Sequence, residues 1–287
     1  MTGEIVKGIG GFYYVETPEG TYQCRARGLF KKKKITPTVG DRVRITVLDD
    51  EEAVIDEILP RRNIFVRPAV SNIDLMVTVV AAKDPDPNTQ VIDRMLVTAE
   101  RSGAEAALCI NKTDLDADEA KRIGSIYEDL YPVIYVSCVT GEGTEDLMEL
   151  IRGRRVALTG PSGVGKSTIL NTLKPEAEAE TGSVSDKTQR GRHTTRHVEL
   201  FDLPGDTGVF DTPGFTSFEM QPAADEDLPL DRYFPEMEPF LGCCRYDNCR
   251  HVSEPGCRIK EAVESGEIAG SRYQSYLSQL EELQERK

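Results

Sequence analysis

Residues 3–59 alternate hydrophobic and polar positions in short runs that Gly, Pro and Asp residues interrupt. Successive side chains of a β-strand point to opposite faces, so each run has one face that can be buried. The runs predict five strands, at Glu4–Val6, Gly11–Glu16, Tyr22–Arg27, Asp41–Val47 and Ala53–Ile58. Five short strands in this length predict a small closed barrel of the OB type, with an SH3-like barrel as the alternative.

From Asn63 to Gln221 apolar runs alternate with segments of helical spacing. Ile73–Ala82 is almost wholly apolar, as expected for a strand buried on both faces, whereas Thr89–Ser102 has the apolar spacing of a helix. Further strands are predicted at Ala106–Ile110, Val133–Ser137, Arg155–Leu158, Val198–Leu203 and Gly208–Phe210, and further helices at Asp118–Leu130, Thr144–Ile151 and Lys166–Leu173. This alternation predicts a doubly wound α/β domain with a mostly parallel sheet.

The last part of the chain combines a cysteine cluster with two predicted helices, Ile259–Ser265 and Ile268–Glu285. An apolar stripe on the final helix is expected to pack on the cysteine-containing module. We therefore predict three domains: a barrel at 1–62, an α/β domain at 63–222 and an α-helical module at 223–287.

Composition and charge narrow the class of protein. Hydrophobic residues make up 39% and charged residues 29% of the chain, which is typical of a globular protein. The longest apolar run, Leu75–Ala82, is far shorter than the roughly 18 residues that span a bilayer, and Met1–Val15 has no signal-peptide core. Seven cysteines, an odd number, argue against a disulfide framework. We expect a cytoplasmic protein with no membrane partner.

The net charge of −14 opposes indiscriminate binding to nucleic acid. Within Cys24–Arg44, however, eight basic side chains accompany one acidic residue, Asp41. This basic stripe, which includes Lys31–Lys34, is either a solvated loop or a local docking surface for RNA.

A phosphate-binding loop is predicted at Gly160–Ser167, which matches G-x-x-x-x-G-K-[ST] between a predicted strand and a predicted helix. The glycines let backbone N–H groups turn towards the phosphates at a helix N-terminus. Lys166 is expected to reach the β- and γ-phosphates, and the Ser167 hydroxyl to bind Mg²⁺. The other residues expected at the phosphates are Gly160, Ser162, Gly163, Val164, Gly165 and Thr168.

The base is selected by a second motif, Asn111-Lys112-Thr113-Asp114, which follows a buried strand. The Asp114 carboxylate can accept hydrogen bonds from guanine N1–H and N2–H₂, and adenine has neither donor there. Asn111 is expected to brace the loop and the base, and the Lys112 stem to cover the base. Ser137-Cys138-Val139, after the next strand, is expected to offer a backbone N–H to guanine O6.

Asp211-Thr212-Pro213-Gly214 matches the D-x-x-G motif of GTPases. Asp211 is expected to reach Mg²⁺ through water, and the Gly214 N–H to meet the γ-phosphate. Residues 181–197 form a polar, basic segment that is expected to order around the γ-phosphate. In it, Thr195 is preferred over Thr194 as the second protein ligand of Mg²⁺.

Phe215 occupies the position where Ras-like enzymes carry the glutamine that orients the attacking water. An apolar side chain cannot do this, so we expect slow intrinsic hydrolysis. His193 is the candidate replacement, and a hydrogen bond within the loop is its alternative role.

The order of these motifs is reversed relative to a Ras-type GTPase, because the base loop precedes the phosphate loop. The same sheet can form if the chain is circularly permuted, with its ends moved to an exposed connection. The barrel and the cysteine module are then attached beside the γ-phosphate sensor.

Cys244, Cys249, His251 and Cys257 offer three thiolates and one imidazole within a short segment. This donor set is typical of a structural zinc site. Cys243 is an alternative to Cys244. A core of reduced cysteines is the other interpretation, and the polar residues around the cluster argue against it.

These motifs, their order and the cysteine spacing resemble the ribosome small-subunit-dependent GTPase family of the RsgA or YjeQ/YloQ type over essentially the whole chain. The resemblance implies an OB-type barrel, a circularly permuted GTPase domain and a C-terminal zinc-binding domain. It also implies that the protein binds the small (30S) ribosomal subunit through rRNA during late maturation. The subunit would stimulate hydrolysis of GTP to GDP and phosphate, after which the protein would dissociate.

The same resemblance assigns the catalytic switch histidine to His193, and it implies zinc and magnesium as cofactors. Two departures from the family pattern are Cys138 in the serine loop and the additional Cys243. The competing hypotheses are a P-loop kinase or ATPase, and a non-ribosomal zinc protein that binds nucleic acid and uses GTP for stability. We expect a monomer.

Overall fold

The computed structural model describes residues 1–32, 34–48, 52–173, 198–212, 219–220 and 229–285. The strands are β1 Thr2–Ile9, β2 Phe12–Thr17, β3 Gly20–Ala26, β4 Arg42–Val47, β5 Glu52–Ile58, β6 Ile64–Arg67, β7 Ala69–Ser71, β8 Leu75–Ala81, β9 Glu105–Asn111, β10 Val133–Val136, β11 Arg155–Thr159, β12 Glu199–Leu203, β13 Thr207–Asp211 and β14 Glu219–Met220. The helices are α1 Gly28–Lys32, α2 Thr89–Ser102, α3 Ala117–Tyr127, α4 Thr144–Ile151, α5 Lys166–Leu173, α6 Arg258–Ser265 and α7 Gly270–Glu285. Two 3-10 turns cover Leu230–Tyr233 and Pro235–Phe240.

The first five strands close into the predicted barrel. Their order is β1-β2-β3-β5-β4, and β1 also pairs with β4. One fully buried side chain from each strand fills the interior: Ile5, Val15, Cys24, Val43 and Ile55. This strand order, with β3 and β5 parallel, is that of an OB-type barrel and replaces the SH3-like alternative.

The central sheet has the order β10-β9-β8-β11-β13-β12. Neighbouring strands from β10 to β13 are parallel, and β12 runs antiparallel to β13. All seven residues of β8 are buried, as its apolar sequence predicted. Because parallel strands end at one edge of a sheet, the loops after β8, β9, β11 and β13 are gathered on the same side.

The barrel is attached to the central sheet at several points. β1 pairs with β12, and Lys7 Nζ lies 2.9 Å from Glu199 Oε1. Gly40 packs so tightly that a Cβ there would lie 2.2 Å from the Ser71 carbonyl oxygen and 2.9 Å from Phe210 Cζ. The barrel therefore rests directly on β13, one residue before Asp211.

A buried ionic cluster joins α7 to the central domain. Arg272 is fully buried, and its Nη1 donates to Asp93 Oδ1 of α2 at 2.8 Å. Its Nε and Nη2 donate to the Glu236 carboxylate at 2.7 and 2.9 Å, and Tyr127 Oη donates to Asp93. Burial alone would lower the pKa of Arg272, but the carboxylates of Glu236 and Asp93 raise it. The cation therefore stays charged inside the interface.

The structure corrects several predicted bounds. The helix α3 ends at Tyr127 and not at Leu130, and residues 128–130 form a tighter turn in which the Leu130 N–H donates to the Tyr127 carbonyl oxygen at 2.9 Å. The short elements α1, β6, β7, β14 and both 3-10 turns were not predicted, since a few residues carry little periodicity. Within the described part of the chain, every helix is too short or too polar to cross a bilayer.

Replacing Arg272 with leucine is expected to lower the free energy of unfolding by about 3–5 kcal/mol, because two buried carboxylates lose their cation. Urea denaturation measures the change. Arg122→Leu is the matched control, since it breaks an exposed ion pair with Glu119 and should cost less than about 1 kcal/mol. Equal losses in the two variants would contradict a structural role for the buried cluster.

Candidate functional site

The loop between β11 and α5 adopts the turn that its sequence predicted. Gly160, Gly163 and Gly165 have φ values of 145°, 84° and 97°, a region that side chains disfavour. A Cβ at Gly160 would lie 2.1 Å from the Val79 carbonyl oxygen. Glycine is therefore required where the loop crosses the end of β8.

Lys166, the first residue of α5, directs its side chain back to this loop. Its Nζ donates to the carbonyl oxygens of Gly160 and Pro161 at 2.5 and 2.8 Å. Burial lowers the pKa of Lys166, and an adjacent phosphate would favour its charged form. Ser162, Ser167 and Thr168 are exposed around the same loop, where a phosphate and its metal ion can reach them.

Asn111 connects the base loop to the phosphate loop. Its side chain is buried, and Nδ2 donates to the Val164 carbonyl oxygen at 2.8 Å. A Cβ at Gly165 would lie 2.3 Å from the same nitrogen. The two motifs, reversed in the chain, are thus in direct contact, as one bound nucleotide requires.

The Asp114 carboxylate is oriented by the serine loop. Ser137 Oγ donates to Asp114 Oδ1 at 2.6 Å, and it accepts from the Thr140 backbone N–H at 3.2 Å. Asp114 is exposed, so a ligand can reach its other oxygen. Cys138 is half-buried, and burial together with Asp114 raises the pKa of its thiol. The orienting hydroxyl of Ser137 is an addition to the backbone contact that the sequence predicted.

A segment that sequence analysis did not single out, Lys83–Pro85, bridges the two loops. Lys112 Nζ donates to the Asp84 carbonyl oxygen, and Lys83 Nζ lies 3.9 Å from Asp116 Oδ2. Pro85 Cδ lies 3.7 Å from where a Cβ on Gly163 would be. The segment follows β8 at the same edge of the sheet. The sequence did predict a central strand there, and the loop after such a strand could have been singled out as part of the site on that ground alone.

Asp211 ends β13 beside this edge, as predicted. Its neighbour Phe210 pairs with Ala157 of β11, two residues before the strand ends. The other switch candidates, His193, Thr195 and Gly214, lie outside the described residues, together with the segment 181–197. The structure therefore brings together the base loop, the phosphate loop and the start of D-x-x-G.

The four candidate metal ligands converge in the C-terminal module. The ligand atoms of Cys244, Cys249, His251 and Cys257 all lie within 4.8 Å of one another. Cys243 is exposed, and its Sγ lies 3.8 Å from the Leu241 carbonyl oxygen. Three sulfur atoms and one nitrogen in this arrangement fit a tetrahedral metal site, with Cys244 as the first ligand.

Two tyrosines of α7 hold the loop that carries His251. Tyr273 Oη donates to the His251 carbonyl oxygen at 2.6 Å, and Tyr276 Oη donates to the Arg250 carbonyl oxygen at 2.9 Å. His251 has a φ of 60°, which is uncommon for a residue with a side chain. The predicted apolar stripe of α7 thus packs on the cysteine module and also fixes its backbone.

Comparisons with known proteins match both the barrel and the central domain. The RsgA GTPase family model matches residues 58–221, and the RsgA N-terminal domain model matches residues 2–55. The small ribosomal subunit biogenesis GTPase RsgA of Ruminiclostridium cellulolyticum is 47% identical, over 96% of this chain and 91% of that protein. The protein of the same name from Agathobacter rectalis is 44% identical, over 100% and 99%.

Solved structures show the same fold along the full chain. The crystal structure of YjeQ from Thermotoga maritima has a TM-score of 0.85 and 36% sequence identity, and the match covers 100% of this chain and 99% of that one. YloQ, described as a circularly permuted GTPase, has a TM-score of 0.81 and 34% identity, over 100% and 96%. The permuted order of motifs is thus shared with a solved GTPase.

Replacing Asp114 with asparagine should weaken GTP binding by about 100-fold or more, because the carboxamide keeps one oxygen acceptor but sets an N–H donor against a guanine donor and loses the negative charge. Xanthosine triphosphate should bind better in its place, since its base offers an acceptor to the new amide. Equilibrium titration with both nucleotides measures the exchange of preference. Asp118→Asn, which removes an exposed charge nearby on α3, should leave both affinities unchanged. Full GTP affinity in Asp114→Asn would refute the base assignment.

Proposed function

The chain belongs to the RsgA GTPase family and is a GTP hydrolase, and we propose that it acts in late maturation of the small (30S) ribosomal subunit. In this proposal it binds the subunit through rRNA, hydrolyses GTP when the subunit stimulates it, and then dissociates. The hydrogen bond from Asn111 to Val164 is the structural observation that supports a single guanine nucleotide site. Membership of a GTPase family argues against the kinase and ATPase alternatives.

In this proposal, different residues bind the base, the phosphates and the metal ion of the nucleotide. Asp114, held by Ser137, would accept the guanine donors, while Asn111 and Lys112 brace the loop. The turn Gly160–Gly165 would direct backbone N–H groups to the phosphates, and Lys166 would neutralise the charge that develops there. Mg²⁺, when bound with GTP, supplies electrostatic stabilisation at the β- and γ-phosphates. Ser167 and Thr195 are the proposed protein ligands, and Asp211 acts through water.

Hydrolysis requires a water molecule aligned with the γ-phosphate. The water oxygen forms a bond to phosphorus as the bond to the β-phosphate oxygen breaks, GDP leaves with that oxygen and its electron pair, and the water proton passes to an oxygen of the released phosphate. Phe215 cannot orient this water, so we assign that role to His193. In this proposal, subunit binding brings His193 into position and thereby stimulates hydrolysis.

The barrel carries a local basic and aromatic surface that supports the proposed rRNA contact, although the net charge of the chain is −14. The Arg25 guanidinium lies 4.6 Å from the centre of the Phe12 ring, and the cavity beside this pair also contains Arg27 and Tyr13. Aromatic faces and arginines of this kind bind unpaired bases and phosphates. The helix α1, Gly28–Lys32, lies within the same basic stretch of the sequence. This local surface supports the docking interpretation of the stripe.

We propose that one structural zinc ion binds Cys244, Cys249, His251 and Cys257. The segment between the first and last ligand contributes few side chains to the apolar core, so metal binding would supply much of its folding energy. We further propose three domains, at 1–62, 63–222 and 223–287, in a monomeric, cytoplasmic protein. The two family matches, at 2–55 and 58–221, support the first of these divisions.

Purified small ribosomal subunits should raise the rate of GTP turnover by at least about 100-fold, because they complete the site that positions water. Phosphate release measured with and without subunits tests this, and large subunits serve as the control. No acceleration by small subunits would contradict the proposed function and favour a protein that uses GTP for stability.

His193→Ala should keep the GTP affinity of the parent protein and lose about 100-fold of the stimulated turnover, because it removes the proposed water-positioning group. His197→Ala is the matched control from the same segment and should behave as the parent. Unchanged stimulated turnover in His193→Ala would contradict the water-positioning role and favour the alternative, a hydrogen bond within the loop.

A further inference from the structure

Asp231 contacts the candidate zinc ligand His251 from outside the cysteine loop. It lies on the 3-10 turn Leu230–Tyr233, and its Oδ2 is 3.1 Å from His251 Nε2. His251 is buried and Asp231 is mostly buried. The ligand motif begins at Cys244, and Asp231 precedes it in the chain, so the spacing of the motif gives no indication of this contact.

The two ring nitrogens of His251 face different partners. Nδ1 lies 3.3 Å from Cys257 Sγ and 3.6 Å from Cys244 Sγ, and Nε2 points to Asp231. An ionised carboxylate can only accept a hydrogen bond, so Nε2 carries the proton that is donated to Asp231. The lone pair of the neutral ring is then on Nδ1, among the thiolates.

The other contacts of this loop act on its backbone. The hydroxyls of Tyr273 and Tyr276 bind the carbonyl oxygens of His251 and Arg250, which fixes the path of the chain but not the ring. Among the described residues, Asp231 is the one hydrogen-bond partner of Nε2. A carboxylate on the far nitrogen orients a ligating imidazole and raises its basicity towards the metal.

We propose that Asp231 is a positioning residue of the metal site, which makes Nδ1 of His251 the ligating nitrogen and slows the loss of zinc. This inference rests on the zinc site of the proposed function. It also gives the metal a connecting role, because the turn that carries Asp231 packs on α2. Leu230 shares an apolar cluster with Val97 of α2. The guanidinium of Arg101, also on α2, lies 5.8 Å from the centre of the Tyr233 ring. Zinc would thus tie the cysteine loop to the central domain.

The test uses the full chain loaded with Zn²⁺ and follows the transfer of zinc to a chromophoric chelator. Asp231→Ala should release zinc about 10–100-fold faster than the parent. Asp231→Asn should fall between the two, because its amide oxygen still accepts from Nε2–H. Glu238→Ala, at an exposed acidic residue of the neighbouring turn, should release zinc at the parental rate.

Nitrogen NMR of the ¹⁵N-histidine-labelled parent protein provides a measurement that needs no variant, and the chain has only three histidines. We expect a protonated Nε2 and a zinc-bound Nδ1 for His251. Zinc bound to Nε2, or zinc release from folded Asp231→Ala at the parental rate, would overturn the proposed role of Asp231 but leave the metal site in place. A parent protein that takes up no zinc would overturn the metal site of the proposed function as well.

Discussion

The register of the parallel strands β8, β9 and β11 is the constraint on which the nucleotide site depends. It ends β9 at Asn111 and β11 at Thr159 on the same edge of the sheet, with β8 between them. Asn111 can then donate to the Val164 carbonyl oxygen across the two loops. This geometry depends on which strands are neighbours and not on the order in which the chain visits them. A circularly permuted sequence therefore builds the same site as an unpermuted one.

The accessory regions are attached to elements that carry the nucleotide loops. The barrel packs through Gly40 against Phe210, next to Asp211, and Glu4 binds Arg155 at the start of the phosphate-loop strand. The C-terminal module is tied by Arg272 to Asp93 of α2, the helix that follows the Lys83–Pro85 segment. Both attachments use buried or mostly buried contacts. Both accessory regions are therefore attached directly to elements that carry the nucleotide loops.

Local patterns were sufficient to predict most of the architecture. Residues adjacent in sequence form the phosphate loop, the base loop and the cysteine cluster, so their spacing identified them, and the apolar run of β8 indicated a central strand. The contacts that were missed join distant parts of the chain. Arg272 reaches Asp93 across 179 residues, and Asp231 and Asp84 lie in short segments without a motif. No periodicity or spacing distinguishes such residues from ordinary surface charges before the fold is known.

A crystal structure of the protein with a non-hydrolysable GTP analogue and Mg²⁺ would test the central claim most directly. The account predicts one nucleotide whose guanine N1 and N2 lie within hydrogen-bond distance of the Asp114 carboxylate, while its β- and γ-phosphates contact Lys166 and the Gly160–Gly165 turn. A nucleotide bound to the phosphate loop with its base directed away from Asp114 would contradict it.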